Sequence, residues 1–176
     1  MELPNLASCF VLDIRMPHIS GLDFQARLVA AGVRIPLIFM TGHADVPMAV
    51  SAMKAGAVEF LTKPFSEQQM LDAVTRAIEL DGMRLDRSRQ AIETFTRFQT
   101  LSEREREVMD LVTAGLMNKQ VAGRIGMVES TVKIYRAQVM RRMGAQSLAD
   151  LVRMAELMRS APAPITSLTA ILDGPK

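Results

Sequence analysis

Three polar residues close short apolar runs in the first half of the chain: Asp13 follows Phe10 to Leu12, Thr41 ends Pro36 to Thr41, and Lys63 follows Val58 to Thr62. In open parallel sheets, ligands and chemistry gather at the carboxyl ends of strands, so a carboxylate, a hydroxyl and an ammonium at three successive ends form a candidate site. Taken singly each has a plainer reading: Asp13 a solvated loop carboxylate, Thr41 a strand-end hydroxyl, Lys63 a surface charge and nearby Phe60 a core aromatic. A second constellation lies between 118 and 142, where Lys119, Arg124, Lys133, Arg136, Arg141 and Arg142 face Glu129 alone, a balance of +5. That is an electrostatic footprint suited to phosphate. Residues 1 to 80 carry six cations against eight acids, a balance of −2, and are no polyanion binder.

The elements that must position these residues follow from periodicity and turn signals. Strand patterns at Phe10 to Asp13, Pro36 to Thr41 and Val58 to Thr62 alternate with helical patterns at Gly21 to Ala31 and Val46 to Ala55, which predicts right-handed βαβ units and a parallel sheet. Ser66 and Gln69 form a capping box. The helix they start runs on through Ala77, Leu80 and Arg84 toward Phe98, interrupted only by Gly82. A second capping box, Ser102 with Glu105, opens a helix whose apolar face is Val108, Leu111, Val112 and Leu116 and which Gly115 ends. Asn118 to Ile125 is a short helix, Gly126 a tight turn, and Ser130 to Met143 a third helix carrying most of the cations. This is helix-turn-helix geometry. Ser147 and Asp150 start a fourth helix with the stripe Leu148, Leu151, Val152, Ala155 and Met158. The Ala-Pro-Ala-Pro run at 161 to 164 breaks helix, and 161–176 are expected to be a loosely ordered tail.

Composition, 49% hydrophobic and 23% charged, is that of a folded protein. The apolar runs fall far short of the ~20 residues of a membrane span. No basic-then-apolar leader is visible, so a cytoplasmic protein without membrane association is expected. Cys9, the one cysteine, can build neither an internal disulfide nor a Cys-rich metal site and is read as a buried strand residue.

A recognition helix must bury one face and offer a polar, basic face to the major groove. In the third helix Val132, Val139 and Met143 supply the first, and Thr131, Lys133, Ile134, Arg136 and Ala137, with Arg141 and Arg142 further on, supply the second. Lys133 can reach base edges or phosphate, Ile134 a thymine methyl, and the arginines phosphate. The bland alternative is a solvated basic face. Leu101-Ser-Glu-Arg-Glu-Arg-Glu-Val, Ala-Gly-Leu at 114 to 116, Asn118-Lys119, and Thr131-Val132-Lys133 followed by Tyr135-Arg136 resemble the LuxR-type helix-turn-helix of NarL/FixJ response regulators over about sixty consecutive residues. The resemblance implies double-stranded DNA as partner, contacts from Asn118, Lys119, Ser130, Thr131, Lys133, Ile134, Arg136, Ala137 and Arg141, and a homodimer through Leu148, Leu151, Val152 and Ala155, with core packing the alternative for those four. Val128 stands where the family usually has Ser or Thr; Val cannot cap, which costs about 0.5–2 kcal/mol unless Ser130 caps a later start.

Val-Leu-Asp13-Ile-Arg-Met-Pro, Phe-Met-Thr41-Gly and Thr-Lys63-Pro-Phe are similar to the second half of a response-regulator receiver domain. The resemblance implies phosphorylation at Asp13, phosphate sensing by Thr41 and Lys63, a switch aromatic at Phe60, a cis Lys63–Pro64 peptide, and a sensor histidine kinase as partner. Twelve residues precede Asp13 and Glu2 is their sole carboxylate. The family's acidic pair, which holds Mg²⁺, is therefore expected to be absent, leaving Asp13 a weak metal ligand, Mg²⁺ relevant only if the site works, and phosphorylation control impaired. An unpaired edge is expected on the Phe10 to Leu12 strand.

The fold expected is an α/β receiver fragment, three parallel strands with flanking helices, followed by an all-α four-helix helix-turn-helix domain. Its divisions are 1–80 partial receiver, 81–99 helical linker, 100–160 DNA-binding domain and 161–176 tail. The function expected is a DNA-binding transcription regulator of two-component type, not an enzyme. Its alternatives are a receiver that catalyses its own phosphorylation at Asp13, or an interaction protein forming mixed dimers with full-length regulators.

Overall fold

A computed structural model describes residues 6–42 and 46–160; the expected tail at 161–176 lies outside the described residues. Ten elements follow in the order β1 (Phe10–Asp13), α1 (Gly21–Ala30), β2 (Leu37–Thr41), α2 (Val46–Lys54), β3 (Glu59–Thr62), α3 (Glu67–Gln99), α4 (Glu103–Thr113), α5 (Asn118–Ile125), α6 (Glu129–Met143) and α7 (Leu148–Ser160). They divide into two compact units, with the boundary between Asp86 and Arg87 inside α3. Gly82 does not interrupt that helix.

In the α/β unit the strands lie in the order β1-β2-β3, all parallel, with Leu12 opposite Phe39 and Phe39 opposite Phe60. Alternation along β2 divides the core. Leu37 and Phe39 pack with Phe24 and Leu28 of α1 and Ala52 of α2, while Ile38 points the other way, onto Ala73 and Ala77 of α3. The sheet is thus covered on both faces, and its strand ends emerge where β1 and β3 finish. β1 is an edge of the described sheet. Cys9 sits one residue ahead of β1 and is only half-buried, so its reading as a buried strand residue is corrected.

The helical unit is built by local signals. Ser102 and Glu105 close the capping box of α4: the Ser102 hydroxyl accepts from Glu105 N at 3.3 Å, and Glu105 Oε2 accepts from Ser102 N at 2.8 Å. Gly115 and Gly126, at φ of 92° and 67°, take the left-handed turns that follow α4 and α5, a backbone region costly for other residues. α6 starts one residue earlier than expected. Val128 occupies its N-cap with no side-chain hydrogen bond, and Ser130 lies inside the helix, so the alternative cap at Ser130 is not used. Ser147 caps α7, its hydroxyl accepting from Asp150 N at 3.1 Å. Two clusters fill the interior: Val108, Val112, Val121, Ala122 and Val132 join α4, α5 and the first half of α6, and Leu101, Met109, Val139, Met143, Leu151 and Ala155 join α4, α7 and its second half.

Candidate phosphate site and nucleic-acid interface

Asp13 is the last residue of β1 and Lys63 follows β3 directly, so the register of the sheet brings both to the same end. Asp13 Oδ2 accepts from Lys63 Nζ at 2.8 Å and Oδ1 from Arg15 N at 3.0 Å. The Lys63 side-chain bond, then the Arg15 backbone bond, hold the Asp13 carboxyl below its ordinary value, as donors to the ionised form must. Thr41, at the end of β2, is fully buried, and its carbonyl accepts from Lys63 N at 2.7 Å, tying the lysine backbone to the middle strand. The Lys63–Pro64 peptide is cis. Phe60 lies on β3, half-buried against the cluster that contains Phe39. Behind the carboxylate, α1 enters against β1: Gly21 N donates to Ile14 O at 2.9 Å, and a Cβ on Gly21 would stand 2.8 Å from the Asp13 carbonyl oxygen.

Mg²⁺ takes near-octahedral oxygen ligands including carboxylates. Both Asp13 oxygens already accept from other donors, and no group of three His, Cys, Asp or Glu among the described residues could hold a metal. The described residues alone do not fit the ion.

In the helical unit α6 presents two faces. Val132, Val139 and Met143 are at most 1% exposed, while Ser130, Lys133, Ile134, Ala137 and Arg141, spaced along one helical stripe, are exposed. Thr131 is half-buried. Arg136 is half-buried as well, and its Nη1 donates to Asn118 Oδ1 at 3.1 Å, joining α6 to the first residue of α5. Lys119 stands exposed one residue further on. Lys133 Nζ lies 3.4 Å from Glu129 Oε1 one turn back, an exposed contact that contributes little. Of the four apolar residues proposed for dimer contact, Leu151 and Ala155 are buried within their own unit, 0% and 6% exposed. Leu148, 38% exposed, and Val152, half-buried, keep surface.

Sequence reasoning saw Glu105 only as a capping residue. It is 2% exposed and also lies 3.2 Å from Arg142 Nε of α6. Burial opposes its ionised form, but hydrogen bonds from Ser102 N and Oγ, helped by Arg142 and Arg141, outweigh that and hold the carboxyl below its ordinary value. Arg97 Nη1 donates to Met143 O at 3.1 Å, and no short-range sequence signal marks this contact or that of Glu105 with Arg142.

A parallel α/β unit ending in a carboxylate–ammonium pair, continued by a helix-turn-helix with a basic exposed face, defines a response-regulator architecture. Family models agree in both halves: residues 4–75 match the response regulator receiver domain and 99–155 the bacterial regulatory proteins of the luxR family. The chain is 54% identical over 156 residues to nodulation protein W of Bradyrhizobium diazoefficiens, covering 89% of this chain and 69% of that protein. It is 48% identical to the transcriptional regulatory protein FixJ of Rhizobium meliloti, covering 82% and 71%. A solved structure of the response regulator StyR matches 84% of this chain and 75% of its own at 45% identity, with a TM-score of 0.67. The chain belongs to the FixJ/NarL-type response regulators with a LuxR-type DNA-binding domain. It is a DNA-binding transcription regulator. Among the described residues no helix is long and apolar enough to cross a membrane.

Proposed function

We propose that α6 enters the major groove and that Ser130, Lys133, Ile134, Ala137 and Arg141 form the face it lays there, with Thr131, Asn118 and Lys119 at its margin. The observation that carries this is the division of one helix into a buried apolar side and a continuous exposed stripe of a size and polarity suited to base edges and phosphates. Arg136 holds α5 to α6 through Asn118 and keeps that turn in shape. The protein works in the cytoplasm as a homodimer on double-stranded DNA, with Leu148 and Val152 as the dimer contacts on α7, and it is a regulator, not an enzyme. Gel retardation of genomic fragments at low salt, followed by footprinting, tests the reading: specific retardation that weakens with salt and on Lys133→Ala supports it, and failure to retard any fragment removes it.

The pairing of Asp13 with Lys63 supports a second role, acceptance of a phosphoryl group from a sensor histidine kinase at Asp13, with Lys63 neutralising it, Thr41 sensing it and Phe60 responding. Control through this site with the described residues alone is weak, because Asp13 is the one carboxylate at the three described strand ends and no group of three His, Cys, Asp or Glu among the described residues could hold the Mg²⁺ that phosphoryl transfer uses. The domain divisions that go with this reading are a receiver unit over 1–80, a helical linker over 81–99 and a DNA-binding domain over 100–160. Mass spectrometry after acetyl phosphate and Mg²⁺ decides the point: a stoichiometric adduct lost in Asp13→Asn contradicts weak control.

A further inference from the structure

The C-terminal ends of α3 and α6 exchange arginines. Arg142, in the last turn of α6, donates through Nη1 to Thr100 O just beyond α3 at 2.7 Å. Arg97, in the last turn of α3, donates through Nη1 to Met143 O at the end of α6 at 3.1 Å. Each cation sits where the orphan carbonyls and partial negative charge of a helix end attract it. Arg142 is itself held by buried Glu105 at 3.2 Å, and Arg106 adds a bond to Gln99 O at 3.0 Å while lying over the Phe98 ring. Gly144 leaves the room this needs: a Cβ there would stand 2.9 Å from Arg97 Nη1.

We infer that Arg97 is a positioning residue for DNA recognition, although it precedes the segment that matches the luxR family model, residues 99–155. The inference rests on α6 being the recognition helix. α6 is fixed at its start by α5, through Arg136 and Asn118, and along its second half by the cluster of Val139, Met143 and Leu151. Arg97 adds a hold on its far end from a helix outside the four-helix domain. A helix of 15 residues is about 22 Å long at 1.5 Å per residue, so a tilt released at one end displaces side chains along the groove face. Contacts to base edges depend steeply on such displacement, whereas phosphate contacts by flexible cations do not.

The test uses the full chain and two duplexes, one selected from a random-sequence pool by the parent protein and one unrelated, titrated over a range of salt. Arg97→Gln should weaken binding to the selected duplex about fivefold, the size of one ordinary hydrogen bond. Affinity for the unrelated duplex and the slope against log salt should stay unchanged, and Arg97→Lys should restore most of the loss. An equal loss on both duplexes with the slope lower by about one would make Arg97 a phosphate contact and overturn the inference. So would no loss at all, or a fall in melting temperature beyond about 4 °C, which would show a purely structural role. Lys133→Ala separates the two readings. If it leaves binding intact, α6 is not the recognition helix; if it weakens binding while Arg97→Gln does not, the positioning role alone fails.

Discussion

Asp13 and Lys63 in the α/β unit stand 2.8 Å apart and neutralise each other, whereas in the helical unit Lys119, Lys133 and Arg141 line an exposed surface with only Glu129 set among them. The first site is closed on itself, and a new anion there must compete with the resident carboxylate for the ammonium. The second is open, and a polyanion meets cations with little internal competition. One acid of the helical unit is drawn inward: Glu105 is buried under Arg142, serving the fold and not the surface. Charge in one unit is internally paired. In the other it is standing capacity, present whenever the domain is folded.

This contrast can be broken or sharpened by substitution. The largest effect is expected in the cores, which should respond separately. Leu151→Ala should cost the helical unit about 2–5 kcal/mol and Phe39→Ala the α/β unit about 3–5 kcal/mol, read as separate shifts in urea unfolding followed by residue-resolved amide exchange. A single shared transition in both variants would dissolve the distinction between units.

Next comes the inward acid. Glu105→Ala should destabilise the helical unit by about 2 kcal/mol, because it removes the acceptor of the α4 cap and the partner of Arg142 together. The same carboxyl sets a pH limb. Its folded value is depressed below the ordinary 4.5, so its contribution is full above the unfolded value and is lost as pH falls through the folded one. Urea midpoints between pH 7 and pH 3 should fall for the parent chain and fall less for Glu105→Gln.

Lys133→Ala, measured by fluorescence anisotropy at fixed salt, should weaken specific DNA binding about tenfold, or ~1.4 kcal/mol. The smallest effect belongs to the closed site. Asp13→Asn breaks an exposed pair and should change stability by under about 1 kcal/mol, leaving DNA affinity in the absence of a phosphodonor as it was. A tenfold change in affinity on Asp13→Asn would show that the closed site already governs the open one.

Much of this architecture can be read from local chemistry. The strand ends at Asp13 and Thr41, the capping boxes at Ser66 and Ser102, and the turns at Gly115 and Gly126 all depend on residues within a few positions of one another, where spacing is informative. The split of α6 into buried Val132, Val139 and Met143 and exposed Lys133, Ile134 and Ala137 is likewise a matter of period. What periodicity does not tell is which neighbour covers an apolar face. The stripe on α7 was legible, but the burial of Leu151 and Ala155 beside exposed Leu148 depends on α4 and α6, far away in sequence. Long-range polar pairs are harder still. Arg136 reaching Asn118, Arg142 reaching Glu105 and Arg97 reaching Met143 O span 18, 37 and 46 positions, and any of these arginines reads in sequence as one more surface cation. The sequence marks Arg136 for phosphate and gives no sign that it is half-buried and bonded to Asn118.

Gly21 carries a consequence for inheritance. Its missing side chain is the gap through which the start of α1 meets β1: a methyl group there would lie 2.8 Å from the Asp13 carbonyl oxygen and 2.9 Å from the Phe39 ring. Neither can yield readily, one being backbone and the other a fully buried phenyl. In a saturation library of this chain, position 21 should therefore stay empty of every other residue while partly exposed Leu22 beside it accepts many. The lineage of this strand end is recorded less in the aspartate than in an absence the size of one carbon atom.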